Sequence, residues 1–265
     1  MVGMVHARIR FDGVLAYFYY LKQKGVRLGS VRCAVLCYGL PGIPPARYHP
    51  LVERLVEKGF LVACPEYPGT YGSFGKCNFE NAAEAVVKTI EFLRRGKAVE
   101  LRDLKKLRWK AKEIILVGGS FGGSVALVAG AKSDAVRKII AIAPVTDYRG
   151  RKRTARRNRP YIERGLANLW RVEKSAWGAL AKGGLDINPI DYAPELADKE
   201  VFLVHGDCDD TVGITQSTRL LEAMRGGRGK HGLVVMRGEG HGIAGMFHPK
   251  AVREVMKFVN KAVKI

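Results

Sequence analysis

Ile114-Ile115-Leu116-Val117-Gly118-Gly119-Ser120-Phe121-Gly122-Gly123 reads as a short buried strand that runs straight into a glycine-rich corner. The small-residue stretch Ser124–Ala131 behind it reads as a helix. Residues 118–122 fit Gly-x-Ser-x-Gly. A serine hydroxyl is a poor nucleophile unless it is exposed and beside a base. A sharp strand-to-helix turn exposes it, and glycines two before and two after remove side chains that would clash there. The pentapeptide alone is a weak signal. Its position between a predicted strand and a predicted helix gives it weight, and Ser120 is the candidate nucleophile.

Working outward, strands and helices alternate on both sides of this corner. Upstream, the apolar runs 5–11 and 14–22 flank Asp12-Gly13, a hairpin turn signal. A strand over 31–38 ends at Gly39-Leu40-Pro41-Gly42. A helix over 48–58, a strand over 60–65 and a helix over 79–95 follow, the last with a 3.6-residue apolar period. Residues 97–112 are polar and expected to be partly helical. Downstream come a strand over 136–143, then another over 201–205, a helix over 214–224, a strand over 233–237 and a helix over 249–263. This alternation predicts an α/β protein with a mostly parallel sheet, helices on both faces and an antiparallel edge. The 265 residues suit one domain, 1–265. Between Thr146 and Asp191 the pattern breaks, and about 146–191 is expected to be a cap insertion over one end of the sheet.

A base and an acid should lie at the carboxyl ends of other strands, where such sheets bind ligands. His241, in Gly238-Glu239-Gly240-His241-Gly242, is the one of six histidines in a glycine-flanked loop after the last core strand. His6 lies in the first strand, His49 precedes the serine, and His205 should brace the acid loop. His231 precedes a strand and His248 begins the last helix. The acid lies in His205-Gly206-Asp207-Cys208-Asp209-Asp210-Thr211-Val212, where three aspartates compete. A strand-end carboxylate would fix the imidazole tautomer and stabilise the imidazolium. The unused aspartates would cap the next helix or hold the turn.

The chain resembles the α/β-hydrolase superfamily along nearly its whole length, in the order Ser, Asp, His. It is most similar to the prolyl-oligopeptidase-like (S9) catalytic domains and related carboxylesterases. The residues that carry this are Gly-Gly-Ser120-Phe-Gly-Gly, His205-Gly-Asp-Cys-Asp209-Asp-Thr-Val, Gly-Glu-Gly-His241-Gly and Asn188-Pro189-Ile190. The resemblance implies an α/β-hydrolase fold and makes Asp209, four residues after His205, the triad acid. It implies an oxyanion hole from the backbone N–H groups of Phe121 and Leu40. The family's His-Gly loop appears here as Tyr38-Gly39, and there is no room for the β-propeller that S9 oligopeptidases carry in front. The implied function is therefore a serine hydrolase of carboxylic esters, with a small S9-like peptidase as the alternative. An acyltransferase with the same residues stays open, since water exclusion alone separates the two outcomes. Neither metal nor organic cofactor is required. Tyr38, Trp170 and Trp177 are candidates for the substrate pocket. Ile162, Leu166 and the two tryptophans either line it or form the cap's own core.

Composition sets outer bounds. Hydrophobic residues make up 47% and charged residues 26%, the balance of a globular protein, and no apolar run is long enough to span a membrane. The start, Met-Val-Gly-Met-Val-His-Ala-Arg, lacks the pattern of a secretory signal, so a cytoplasmic location is expected. The expected partner is a small ester or peptide substrate, with no membrane. Five cysteines, at 33, 37, 64, 77 and 208, show no metal spacing and read as reduced thiols. A Cys64–Cys77 disulfide is left open. The net charge of +20, with the basic run Arg149–Arg159, raises a rival of another class: a nucleic-acid or anion-binding protein on a hydrolase scaffold. The run carries no interleaved aromatics and no nucleic-acid motif, and reads more simply as a solvated, charged loop.

Overall fold

The computed structural model describes residues 3–260 except 24, 26, 47, 150, 151 and 167. Strands β1 (Met4–Phe11) and β2 (Val14–Leu21) form the expected hairpin, with Asp12 and Gly13 both at positive φ as its two-residue turn requires. Next come β3 (Arg27–Cys37), helix α1 (Pro50–Glu57), β4 (Phe60–Glu66) and α2 (Glu80–Arg95). Then follow β5 (Lys97–Val99), β6 (Lys106–Gly119), α3 (Phe121–Ala131) and β7 (Val136–Ile142). After α4 (Lys152–Gly165), α5 (Lys174–Lys182) and α6 (Ala193–Leu196), the alternation resumes with β8 (Glu200–Gly206), α7 (Thr215–Ala223), β9 (His231–Met236) and α8 (Pro249–Asn260).

The strands form one sheet in the order β1-β2-β4-β3-β6-β7-β8-β9, with β5 added to the amino end of β6. From β4 to β9 neighbouring strands on this path are parallel, while β2 on β4 and β5 on β6 are antiparallel. The chain order reverses between β3 and β6, and the loops after these two strands therefore open side by side. Two apolar layers cover the two faces. One holds the inner sides of α2 and α3 with Val35, Leu116 and Leu203; the other holds those of α1 and α8 with Leu36, Val117 and Val204.

Several expectations need correction. Residues 97–112 contain no helix but β5, a turn and the first half of β6. The Lys-x-Arg-x-Lys alternation from Lys106 to Lys110 has the period of a strand, with Leu107 and Trp109 turned inward. Helix α3 begins at Phe121, earlier than Ser124, and the helix end expected at 261–263 lies outside the described residues. All five cysteines are free. Cys64 belongs to one apolar layer and Cys77 to the other, so the sheet separates the pair left open as a disulfide. Part of the basic run is helical, since α4 starts at Lys152; residues 150 and 151 lie outside the described residues. Among the described residues, no helix is long and apolar enough to cross a membrane.

Candidate active site

Ser120 sits where β6 ends and α3 begins, with φ 54° and ψ −123°. A non-glycine residue there costs on the order of 1–3 kcal/mol and persists only where its surroundings hold it. Here the Ser120 N–H donates to the Ile142 carbonyl at 2.9 Å, and the Ser120 carbonyl accepts from Gly123 N–H at 2.9 Å. The corner lifts the hydroxyl off the sheet.

The imidazole reaches it from three strands away. After β9 the chain folds back over the carboxyl ends of β8 and then β6. Two glycines make this path possible. A Cβ on Gly206 would overlap the Glu239 carbonyl, and one on Gly119 would overlap the Ala244 carbonyl in the 3₁₀ turn His241–Gly245. Cys208 N–H donates to the Glu239 carbonyl at 3.1 Å and Gly238 N–H to Asp207 Oδ1 at 2.7 Å, fixing the crossing. Asp207 thus holds a turn, as the unused aspartates were expected to do.

The crossing brings the three sequence-predicted residues into one row. His241 Nε2 lies 3.0 Å from Ser120 Oγ, and His241 Nδ1 lies 2.7 Å from Asp209 Oδ2. The second oxygen of Asp209 accepts from the N–H groups of Thr211 at 3.0 Å and Val212 at 2.8 Å. Burial alone would raise the Asp209 pKa. Hydrogen bonds from His205, His241 and the Val212 N–H outweigh it and hold the carboxyl well below the usual carboxylate range. An ionised Asp209 only accepts, so the imidazole proton sits on Nδ1 and Nε2 is free to accept the serine proton. His205, fully buried, spans Ser217 Oγ at 2.7 Å and the Val212 carbonyl at 2.8 Å, bracing the acid turn.

The oxyanion candidates lie on the other side of Ser120. Phe121 N–H is the first of α3, without an intrahelical acceptor and at the positive end of the helix dipole. Leu40 follows Gly39, where a Cβ would sit 3.6 Å from the Ser120 Cβ, so this loop runs along the nucleophile. Tyr38 anchors it: its ring stacks on Tyr67 with centroids 4.1 Å apart, and its hydroxyl lies 2.6 Å from Thr70 Oγ1 and accepts from Tyr67 N–H at 2.8 Å. The Gly42 carbonyl accepts from Tyr71 O–H at 2.7 Å and Trp170 Nε1–H at 3.2 Å. Tyr67, Thr70 and Tyr71 carry no catalytic signature, and sequence reading passed over them. Their signal was the density of Gly and Tyr in 66–76.

Ser120 and His241 open into a cleft of about 720 Å³, which Tyr38 and Leu40 also line. Its walls include Ile43, Tyr48, Met246 and Phe247, and no Asp, Glu, Lys or Arg is among its described lining residues. Trp170 and Trp177, offered as pocket residues, stand apart from it. Both are buried, with Ile162, in the larger apolar layer shared with α2 and α3, so they form neither the cleft wall nor a core confined to the cap. Trp170 nonetheless acts on the site from behind, through Gly42 and edge-on contacts with Tyr38 and Tyr67. Among the described residues, no group of three or more His, Cys, Asp or Glu could hold a metal ion.

A model of the prolyl oligopeptidase family matches residues 49–265. No curated protein matches the chain in sequence. Among solved structures, DcsB in complex with its substrate analogue superposes with a TM-score of 0.70 at 15% identity, over 99% of each chain. An esterase of Pyrococcus furiosus gives 0.68 at 17% identity, over 97% of this chain and 91% of that one. An acylaminoacyl peptidase of Pyrococcus horikoshii gives 0.66 at 15% identity, over 97% of this chain but 41% of that one. At such identities the likeness is one of fold, and the fold is that of the α/β-hydrolases.

Proposed function

The chain belongs to the prolyl oligopeptidase family and is a serine hydrolase, and from that premise we propose that it cleaves carboxylic esters with Ser120, His241 and Asp209 as its triad. The observation that carries this reading is the hydrogen-bonded row at 3.0 and 2.7 Å, opening into an apolar cleft. His241 takes the proton of Ser120 as its oxygen attacks the acyl carbonyl. The new oxyanion rests on the N–H groups of Phe121 and Leu40. Asp209 holds the imidazolium, which returns the proton to the departing alcohol. Water, deprotonated by His241, then attacks the acyl-enzyme and frees Ser120.

Ester is favoured over peptide by the cleft chemistry. A peptidase that reads a substrate's free amino terminus benefits from a carboxylate partner, and the described lining offers none. On this reading 1–265 work as one domain. The segment 146–191 serves as a cap that backs the oxyanion loop through Trp170 rather than lining the cleft. The basic run is partly neutralised within its own surroundings, since Arg149 pairs with Asp147 and Asp191 and Arg159 with Glu163. That favours the solvated-segment reading of the run over a nucleic-acid site.

The test compares p-nitrophenyl acetate and butyrate with aminoacyl-p-nitroanilides. Faster turnover of the esters is expected. Rapid anilide cleavage with inert esters would reverse the choice to a peptidase.

A further inference from the structure

Far from the cleft, β5 and the amino ends of β3 and β6 form a ribbon with a second concentration of charge. Lys106, Arg108, Lys110 and Lys112 take its outer face, while Leu107 and Trp109 are buried beneath. The register adds neighbours: Arg27 of β3 pairs with Arg108 on one side and Lys97 of β5 on the other. Three cations thus stand in one row across three strands, about 5 Å from strand to strand. Lys105, next to them, holds Asp103 at 3.3 Å. Among the described residues, Arg27, Lys97, Lys106, Arg108, Lys110 and Lys112 make no ion pair. Like charges directly opposite one another destabilise a sheet. Acids lie close by, Glu113 on β6 and Asp103 in the turn, yet neither pairs with these six cations, which is the arrangement expected of a surface that meets an anionic partner.

A second feature selects the partner. Val99 pairs with Lys106, shares its face and is 48% exposed. Leu101 and Leu104, in the turn from β5 to β6, are 44% and 71% exposed. This turn is ordered, because the Glu100 carboxylate accepts the N–H groups of Arg102 at 2.9 Å and Asp103 at 2.5 Å. Nucleic-acid phosphates would use the cations and leave the aliphatics idle, and the face has no aromatic ring on which to stack a base. An anionic bilayer uses both, its headgroups meeting the cations and its interface receiving the aliphatics. We infer that the β3–β5–β6 ribbon docks this protein on anionic lipid surfaces, a departure from the expectation of no membrane partner. Lys110 lies about 30 Å along β6 from Ser120, so docking and turnover are separable.

The test is co-sedimentation of the full chain with phosphatidylcholine vesicles, with and without about one-third phosphatidylserine. Binding is expected only with phosphatidylserine, weakening as salt rises. The K106E/R108E/K110E variant should bind at least about 100-fold more weakly. The L101S/L104S variant should lose about tenfold, and both should keep wild-type ester turnover. Failure of the wild type to bind phosphatidylserine vesicles would overturn the inference. So would full vesicle binding by L101S/L104S together with tighter binding of the wild type to duplex DNA, which would mark a nucleic-acid surface.

Discussion

At its carboxyl end, β6 is buried on both faces and closes on Ser120; at its amino end the same strand lays Lys106, Arg108 and Lys110 in water. The two ends obey different physics. The carboxyl end depends on close backbone approach: Gly119 lets the 3₁₀ turn bearing His241 lie against it, and positive φ at Ser120 aims the hydroxyl. Little there can be exchanged without moving an atom of the reaction. The amino end depends on charge and alternation, and its outward side chains can change with little effect on the backbone. A strand that is rigid and specific at one end and adaptable at the other can carry chemistry and docking without coupling them.

The sharpest way to break the comparison is at the carboxyl end. Ser120→Ala should lower kcat by on the order of 10⁶-fold in steady-state ester hydrolysis. Asp209→Asn should cost about 10⁴-fold in kcat, because the amide favours the wrong imidazole tautomer. The same carboxyl should register in stability. Its folded-state pKa is depressed, so its contribution is present above the unfolded value near ~3.9 and is lost as pH falls toward the lower folded value. Thermal melts between about pH 5 and 2 should therefore fall more steeply for wild type than for Asp209→Asn. Gly119→Ala should cost about 10²-fold in kcat/KM by displacing the His241 turn, with the fold retained by circular dichroism. At the amino end the effect is small and of opposite sign. Arg108→Glu places an acid between Lys97 and Arg27, and should raise the Tm by about 2 °C while leaving turnover unchanged.

The same contrast decided what could be read from the sequence. The corner at Ser120 was legible because its glycines, its apolar strand and its small-residue helix each leave a local mark. The loop of His241 was legible for the same reason, whereas Asp209 was separated from Asp207 and Asp210 only by the family resemblance. The amino end of β6 was misread as partly helical because its alternation is written in Lys and Arg, with only Leu107 and Trp109 to mark the buried face. The bracing by Tyr67, Thr70, Tyr71 and Trp170 left only the density of Gly and Tyr in 66–76 as a mark, since its hydrogen bonds join segments 29 to 128 residues apart. The separation of Cys64 from Cys77 follows from which face of the sheet each occupies, and spacing along the chain does not encode that.

The convergence of three loops on the end of β6 is tested most directly by treating the native protein with a fluorophosphonate and mapping the adduct by peptide mass spectrometry. One stoichiometric adduct on the Ser120 hydroxyl is predicted, lost in the His241→Ala variant. An unlabelled Ser120, or a primary adduct on another side chain, would contradict the account.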